Sequence, residues 1–373
     1  MKIAQIAPAW IPIPPKNYGG TESVLYHLIE ELVAQGHDVT LFAPEDAKTS
    51  ARRVSFFPNS LLAERIPWQA HLKATYHLLR AVEESQRSEF DIVHSHLSSA
   101  TDLHLFPLMA SLAAPHVTTL HSTFPFDRIG NWRGDADSYY MRWAPEVPLV
   151  AISKSAREQA RQQHPLKFVG VVYNGISLQE YTTRSKRRED FFVWLGRFSP
   201  EKGTHLAIEA AQRAQARLVL AGTIDRSSRE ASAYFQDIIR PKIDDEQIRY
   251  YGPANLRQKI SLYSRARGFL NPIEWEEPFG MVMIEAMALG CPVISFARGA
   301  APELIVDGKT GFLVRNVKEM VDCMARVDEF DREVVRNHVA SNFSARVMAQ
   351  RYVQVYEQVI ATHKRAAPAA QRS

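Results

Sequence analysis

Short apolar runs alternate along the chain with segments in which apolar residues recur at helical spacing. Each run is continuously apolar, which is typical of strands that are covered on both faces in a parallel sheet. In the first half we predict strands at residues 3–7, 39–43, 91–95, 116–121, 148–152 and 168–173. A helix is predicted after the first of these, between a start signal at Thr21 and a stop signal at Gly36.

The second half of the chain repeats this pattern. Strands are predicted at residues 191–195, 217–221, 248–251, 268–271, 292–296 and 312–314, with helices near 204–214, 230–240, 256–265 and 280–289. Two rounds of alternating strands and helices predict an α/β fold with two doubly wound, Rossmann-like domains. Ligands of such folds bind at the carboxyl ends of the strands, so we expect the site in the cleft between the domains.

A polar stretch marks the boundary between the two predicted domains. Residues 177–190 include a charged cluster from Arg184 to Arg188 and have few apolar side chains to bury, so we interpret them as a linker. The first domain would then span residues 1–176 and the second 191–344. A last helix, at about 345–364, could pack on either domain, including back onto the first, and the tail 366–373 is expected to be disordered.

Composition narrows the class of protein further. The chain has 373 residues, of which 46% are hydrophobic, enough for the cores of two domains. Its net charge of +4 does not indicate nucleic acid as a partner, but it suits an anionic ligand. Cys291 and Cys323 form neither a disulfide framework nor a zinc motif. With no signal-peptide layout and no apolar run near the roughly 20 residues of a membrane span, we expect a cytoplasmic protein.

Two carboxylates, Glu277 and Glu285, stand on either side of a Pro-Phe-Gly sequence and an apolar run. Pro278 favours a first helical turn, which would place Glu277 at the start of a helix and Glu285 roughly 12 Å further along it. The free N–H groups at that helix end can bind an anion. An acid at each end of an anion site suits a nucleotide-sugar, although an amphipathic helix with two solvated acids explains the spacing alone as well.

Two further loops follow predicted strands and carry anion-binding chemistry. Arg197 and Lys202 flank a turn after the strand at 191–195, and an arginine can bind phosphate with two N–H groups while a lysine adds a point charge. Gly19 and Gly20 end the loop after the first strand and expose backbone N–H groups to an anion. A flexible turn would explain the two glycines equally, and the dinucleotide fingerprint is absent there.

The histidines and the remaining acids give weaker signals. His121 ends a predicted strand, where a sugar-binding role and a structural role are equally plausible; His94 and His96, which end an earlier strand, are weaker candidates. Asp135 and Asp137 form a D-x-D sequence in a polar loop, which we interpret as a solvated turn, so no metal site is predicted. Cys291 enters a buried strand and is interpreted as a packing residue.

Taken together, these residues resemble the retaining glycosyltransferases of family 4, which have the GT-B architecture of two Rossmann-like domains facing across a cleft. The resemblance is strongest from Phe191 to Val314 and departs at Ala300, where the family often has glycine and an extra methyl group could narrow the donor pocket. It is carried by the following motifs: Gly196-Arg197 with Glu201-Lys202-Gly203, the E-x7-E spacing of Glu277 and Glu285, Tyr173-Asn174-Gly175-Ile176, and Gly290-Cys291-Pro292.

The resemblance implies a role for each candidate residue. Arg197 and Lys202 would bind the donor diphosphate, and Glu285 would bind the ribose hydroxyls. Glu277 would bind the sugar hydroxyls, together with backbone N–H groups around Phe279, Gly280 and Met281. Gly19, Gly20 and His121 would approach the phosphate and sugar from the other domain. The implied reaction is retaining transfer of a hexose from a UDP-, GDP- or ADP-sugar to a saccharide, lipid or small-molecule acceptor, without a metal or cofactor.

Two other functions and a membrane contact stay open. Nucleotide-sugar 2-epimerases share this architecture, and a non-enzymatic sugar-binding protein with two α/β lobes is a third, less favoured reading. Residues 56–82 mix aromatic, leucine and basic side chains and could contact the inner face of the membrane peripherally, although a helix that faces the core explains them as well. The oligomeric state is not predicted.

Overall fold

The structure, a computed structural model, describes residues 1–16, 19–68, 70–98, 102, 104–122, 128–129, 132–182, 188–225 and 228–366. The chain divides into two compact units. The first unit holds Met1–Gly175 with Ala345–Ser373, and the second holds Ile176–Ser344. The segment predicted as a linker therefore falls in the second unit, and most of its charged cluster lies outside the described residues, as does the predicted disordered tail apart from Ala366.

A parallel sheet forms the centre of the first unit. The strands of this unit in the described residues are β1 (Lys2–Ile6), β2 (Asp38–Phe42), β3 (Arg52–Val54), β4 (Ile92–Leu97), β5 (His116–Leu120), the short hairpin β6 (Arg128–Ile129) and β7 (Trp132–Arg133), β8 (Leu149–Ala151) and β9 (Phe168–Val171). The sheet has the order β3-β2-β1-β4-β5-β8-β9, and all its neighbouring strands are parallel. The hairpin lies outside it. Each predicted strand of this half is present.

Helices cover both faces of this sheet, as a doubly wound fold requires. Those before the second unit are α1 (Gly20–Ala34), α2 (His71–Arg87), α3 (Leu105–Ala110), α4 (Ala136–Tyr140) and α5 (Lys154–Gln163). In α1 the apolar residues at helical spacing, Val24, Leu25 and Leu28, are buried as the pattern predicted. The D-x-D sequence lies at the start of α4, where Asp135 is exposed, rather than in an open loop.

A smaller parallel sheet forms the centre of the second unit. Its strands are β10 (Phe192–Arg197), β11 (Leu218–Thr223), β12 (Ile248–Gly252), β13 (Phe269–Asn271), β14 (Val293–Phe296) and β15 (Gly311–Val314). They are parallel and have the order β12-β11-β10-β13-β14-β15, which is the 3-2-1-4-5-6 order of a Rossmann domain. The prediction of two doubly wound, Rossmann-like domains is confirmed.

The helices of the second unit connect these strands. They are α6 (Thr204–Arg213), α7 (Arg229–Ala233) continuing into a π-helix (Tyr234–Ile239), α8 (Leu256–Arg265), α9 (Met281–Ala288), α10 (Ala301–Leu304), α11 (Val317–Met324) and α12 (Arg332–Asn342). The chain then enters α13 (Ala345–Ala366), which packs in the first unit against α1, β5 and β9. In the part of the chain that the structure describes, no helix is long and apolar enough to cross a membrane.

Strand order places a ligand crevice in the second unit. β10 has β11 on one side and β13 on the other, so the chain leaves β10 and β13 towards opposite faces of the sheet. This reversal opens a crevice at the carboxyl ends of the two strands, where doubly wound proteins bind ligands. The segments that border it are the turn after Arg197 and the loop between Asn271 and Met281.

Candidate functional site

The turn after β10 is held against the loop after β13 by a glycine. A 3-10 turn (Pro200–Lys202) leads to Gly203, whose φ of 67° is in the left-handed region. A Cβ atom at Gly203 would lie 1.8 Å from the backbone oxygen of Pro272, so only glycine fits this close approach. The backbone N–H of Glu274 also donates to the oxygen of Glu201 at 2.9 Å. The two loops that border the crevice are therefore joined through their backbones.

Lys202 and Glu277 form an ion pair across this junction. The Lys202 Nζ atom binds Glu277 Oε2, and the Trp275 Nε1–H group donates to the same oxygen at 3.1 Å. The ammonium group also lies 4.8 Å from the centroid of the Trp275 ring. The two charged side chains are only 19% and 16% exposed, so both are held in place before any ligand arrives. The structure thus brings together two of the predicted site residues and adds Trp275, which the sequence did not indicate.

Arg197 is a second cation that borders this crevice. It is the last residue of β10 and is exposed, and it has no ion-pair partner among the described residues. It lines a pocket of about 190 Å³ together with Ser199, Glu201 and Asp225. A guanidinium group without a carboxylate partner is available to bind an anion with two N–H groups.

Glu285 lies in α9 and is largely buried, with 7% of the residue exposed. Its Oε1 atom accepts a hydrogen bond from the Tyr181 hydroxyl at 2.9 Å and pairs with Lys259 Nζ at 2.7 Å. Its other oxygen, Oε2, is buried and has no hydrogen-bond partner in the described residues. Leaving a buried carboxylate oxygen unpaired costs free energy, which a ligand hydroxyl would recover by donating to it.

The two partners of Glu285 were not predicted. Tyr181 belongs to the stretch interpreted as a linker, yet it is buried, and burial next to the Glu285 carboxylate raises its pKa. It therefore stays protonated and can donate. The one signal in the sequence is that Tyr181 is a lone aromatic residue in a polar stretch; nothing marks Lys259 among the other lysines.

The start of α9 differs from the prediction. The helix begins at Met281, so Pro278 lies in the preceding loop and the prediction that it occupies the first helical turn is wrong. Gly280 takes that position as the N-cap residue, with a left-handed φ of 91° that allows the chain to turn into the helix. The Phe279 ring is buried edge-on against Phe343, with the centroids 6.3 Å apart. The Met283 N–H group donates to the Gly280 carbonyl at 3.0 Å, whereas the N–H groups of Met281 and Val282 have no acceptor within the helix and can bind an anion.

The Gly299-Ala300 sequence, at which the chain departs from the family pattern, lies beside Glu277. A Cβ atom at Gly299 would lie 2.4 Å from the backbone N and O atoms of Glu277, so glycine is required there. Ala300 is fully buried, and its N–H group donates to the Glu277 carbonyl at 2.9 Å. Its methyl group therefore packs in the interior and does not face an open pocket.

The other candidate residues belong to the first unit. His121 follows β5 directly, and its Nε2 atom lies 2.9 Å from Nδ1 of His96. A Cβ atom at Gly19 would lie 2.7 Å from Pro15 Cβ, whereas a Cβ atom at Gly20 would meet no atom within 4 Å. The open space before Gly20 can admit a ligand to the start of α1, where burial raises the pKa of Glu22 to about 7.

Cys291 and Asp135 take no part in this chemistry. Cys291 is buried, and burial raises the pKa of its thiol to about 12, as expected of a packing residue. Asp135 is exposed at the start of α4, and the side chain of Asp137 lies outside the described residues. Across the described ranges, no group of three or more histidine, cysteine, aspartate or glutamate side chains could hold a metal ion.

Comparisons with known proteins find relatives of both halves of the chain. The family model "Glycosyltransferase Family 4" matches residues 18–180, and "Glycosyl transferases group 1" matches residues 180–330. Spore coat protein SA of Bacillus subtilis is 24% identical, over 96% of this chain and 99% of its own length.

Solved structures share the fold over nearly the whole chain. Sucrose-phosphate synthase from Thermosynechococcus elongatus has a TM-score of 0.76 and 19% identity, covering 97% of this chain and 98% of that one. Anabaena Alr3699/HepE, solved in complex with UDP and glucose, has a TM-score of 0.66 and 18% identity, covering 96% of this chain and 100% of that one. The two family models together span residues 18–330, so the chain belongs to the group 1 glycosyltransferases of family 4 and has their GT-B fold.

Proposed function

We propose that this protein transfers a hexose from a nucleoside-diphosphate sugar to an acceptor with retention of the anomeric configuration. The observation that carries the proposal is the crevice between β10 and β13. There Lys202 is fixed beside Glu277, and among the described residues Arg197 has no ion-pair partner and Glu285 keeps one buried oxygen unpaired. A diphosphate needs such cations, and hydroxyl groups at either end of the donor need such carboxylates.

Each residue then has a role along the donor. Glu285 Oε2 accepts a hydrogen bond from a ribose hydroxyl, and Arg197 and Lys202 bind the diphosphate. Glu277, together with the N–H groups near Gly280, binds hydroxyls of the sugar. Negative charge grows on the diphosphate as the bond to the sugar breaks, and the two cations stabilise it most at that moment. We name no protein base, because the leaving phosphate can take the proton of the acceptor hydroxyl.

The first unit supplies Gly20 and His121 in this proposal, for the distal phosphate and the sugar. The acceptor is a saccharide, a lipid or a small molecule. The donor base is open among uracil, guanine and adenine; UDP is the first to test, because Alr3699/HepE was solved with UDP and glucose.

A panel of nucleotides and donors tests the function. We expect one of UDP, GDP and ADP to raise the melting temperature. A ligand at a concentration 100 times its Kd stabilises the folded protein by about 2.7 kcal/mol. With the matching sugar donor and no acceptor, we expect slow hydrolysis and no isomerised sugar.

We also propose that Arg197 and Lys202 need no divalent cation, so EDTA should leave the rate unchanged.

Other outcomes of the panel identify the rival functions. An isomerised donor sugar would indicate a 2-epimerase, and stabilisation by free sugar without any nucleotide effect would indicate a sugar-binding protein. Once an acceptor is found, NMR of the product decides the stereochemistry: an inverted anomeric configuration contradicts the retaining mechanism.

We also propose that α2 contacts an anionic membrane surface. One face of α2 is buried in the first unit, through Ala74, His77, Leu78, Ala81 and Val82. The opposite face exposes Leu72, Tyr76 and Leu79, which lie within roughly 60° of arc on the helix. Leu72 is 83% exposed. The two interpretations of this segment, a helix that faces the core and a membrane contact, therefore apply to opposite faces of one helix.

Cations and a tryptophan border this exposed stripe. Lys73 and Arg80 lie on one flank of it, and Trp68, 44% exposed, precedes the helix. Apolar side chains flanked by cations are what an interfacial helix presents to anionic lipid. Ion pairs of Lys73 with Glu64 and of Arg80 with Glu83 reduce the net charge, so we expect binding that is reversible and sensitive to salt.

Vesicle sedimentation tests the membrane contact. The protein should sediment with phosphatidylglycerol vesicles, and the double variant Leu72→Ser/Leu79→Ser should bind at least about tenfold more weakly, since each buried leucine contributes about 1.5–3 kcal/mol. Ile238→Ser is the matched control, because Ile238 is also exposed but lies in the second unit. Equal binding by all three proteins, or a dimer that the double variant abolishes, contradicts the proposal.

A further inference from the structure

A series of hydrogen bonds runs through the interior of the first unit from His121 to α13. His94 and His96, both in β4, are buried, and the His96 ring stacks on that of His121 with the centroids 5.2 Å apart. Burial lowers the pKa of all three imidazoles, that of His121 to about 3, so each ring is neutral at neutral pH. A neutral imidazole has one N–H donor and one acceptor nitrogen, so its hydrogen bonds fix its tautomer.

Gln5 determines the direction of the bonds to His121. His96 Nε2 lies 2.8 Å from Gln5 Oε1, an amide oxygen that can only accept. The proton of His96 is therefore on Nε2, and its Nδ1 atom is an acceptor. His121 Nε2 lies 2.9 Å from that Nδ1 atom and must carry the donated proton. The other nitrogen of His121, Nδ1, is consequently unprotonated.

The hydrogen bonds on the other side of Gln5 agree with this direction. Gln5 Nε2 donates to the Tyr356 oxygen at 3.1 Å, and the Tyr356 hydroxyl donates to His94 Nδ1 at 2.7 Å. With that arrangement His94 Nε2 can donate to Thr119 Oγ1, 2.7 Å away, and the Thr119 hydroxyl can donate to the Tyr352 oxygen, 2.9 Å away. Reversing the bond between His96 and Gln5 would require the Gln5 amide to turn over, which would place its oxygen against the Tyr356 hydroxyl.

We propose that His96 is a positioning residue, which holds His121 as its Nε2–H tautomer and so presents His121 Nδ1 as a hydrogen-bond acceptor. His121 is partly exposed, and no hydrogen bond joins its Nδ1 atom to a described residue. A lone pair there suits a hydroxyl group and disfavours a phosphate oxygen, which has no proton to donate. That the hydroxyl belongs to the donor sugar rests on the proposed function, whereas the tautomer does not.

Histidine 15N NMR on the full chain without ligand tests the tautomer. We expect His121 Nδ1 to have the shift of an unprotonated ring nitrogen, and we expect a scalar coupling across the hydrogen bond between His121 Nε2 and His96 Nδ1. A proton on His121 Nδ1, or on His96 Nδ1, would overturn the proposal. Because this measurement needs neither donor nor acceptor, it decides the tautomer even if the protein transfers no sugar.

A matched pair of variants tests the effect on activity. Asparagine and leucine have similar sizes, but only asparagine offers an oxygen near the position of His96 Nδ1. We expect His96→Asn to keep the proton on His121 Nε2 and to stay within about threefold of the wild-type kcat. We expect His96→Leu to lower kcat about tenfold, which is the effect of losing the free energy of one hydrogen bond, and to change the KM of the donor little. Equal kcat values for the two variants would overturn the proposal, and the wild-type spectrum decides it if the leucine variant does not fold.

Discussion

Replacing Lys202 by methionine should lower the rate of sugar transfer by about 10²- to 10³-fold, the usual effect of removing one group that stabilises transition-state charge. Methionine keeps most of the length of the side chain and removes only the ammonium group. In the free protein that group is held by Glu277 and stacked on Trp275, so it is already placed when the donor binds. The loss should appear in kcat more than in the KM of the donor, because the diphosphate gains charge as it leaves.

The fold should survive this change. A partly exposed ion pair contributes at most about 1 kcal/mol, so the melting temperature should change little. Lys318→Met is the control, since Lys318 is an exposed lysine of the same unit whose only ion pair in the described chain is with Asp322. A Lys202→Met protein that is folded and keeps wild-type turnover would refute a role in catalysis, and a large fall in melting temperature would contradict the expected small effect on stability.

Variants of Arg197 distinguish the effect of charge from that of geometry at the proposed diphosphate site. Arg197→Lys keeps one positive charge but loses the second N–H group of a two-point contact. We expect the kcat/KM of Arg197→Lys to lie between that of the wild type and that of Arg197→Met. If the lysine variant equals the wild type, Arg197 acts only as a distant charge and does not bind phosphate directly.

The fold could be predicted from the sequence because buried parallel strands leave continuous apolar runs, which need no knowledge of distant contacts. The exception is informative. Strand β3 consists of Arg52, Arg53 and Val54 at the edge of the sheet, where its two arginines are exposed. It was not predicted, because it lacks the apolar run on which the strand predictions depend. Of the helices after β14, α13 was predicted, whereas α10, α11 and α12 were not, since α10 has four residues and the other two lack a long apolar stripe.

Contacts within the candidate site could be predicted only where its residues are neighbours in sequence. Arg197 and Lys202 share one strand-to-helix turn, and their chemistry is visible there. Tyr181 and Lys259 reach Glu285 from 104 and 26 positions away, so their role depends on the folded chain. In the same way, His96 is a weak candidate in the sequence and gains its importance only from its contact with His121.

Replacing Glu285 by glutamine should weaken the binding of the nucleotide itself by about 10- to 100-fold, since a hydrogen bond to a charged group is worth about 1.5–3 kcal/mol. The reason is the state of Oε2: it is buried and unpaired in the described residues, while Oε1 is saturated by Tyr181 and Lys259. A glutamine has no charge and fills the same space. Isothermal titration with the nucleoside diphosphate that gives the largest thermal shift measures the loss.

Two further variants assign this effect to the correct oxygen. Tyr181→Phe removes a donor from Oε1 and leaves Oε2 untouched, so it should lower stability slightly and leave nucleotide affinity nearly unchanged. Glu277→Gln should bind the nucleotide normally but transfer sugar slowly, because Glu277 lies beside Lys202 at the other end of the proposed donor path.

The ligand can be changed as well as the protein. A 2′,3′-dideoxy nucleoside diphosphate lacks the hydroxyl groups that Glu285 is proposed to bind, so the wild type should bind it about as weakly as Glu285→Gln binds the normal nucleotide. The Glu285→Gln variant should then bind the two nucleotides with similar affinity, because the interaction that distinguishes them is already absent. If the variant still prefers the normal nucleotide as strongly as the wild type does, the ribose hydroxyls are bound elsewhere and the buried Oε2 atom of Glu285 has another partner.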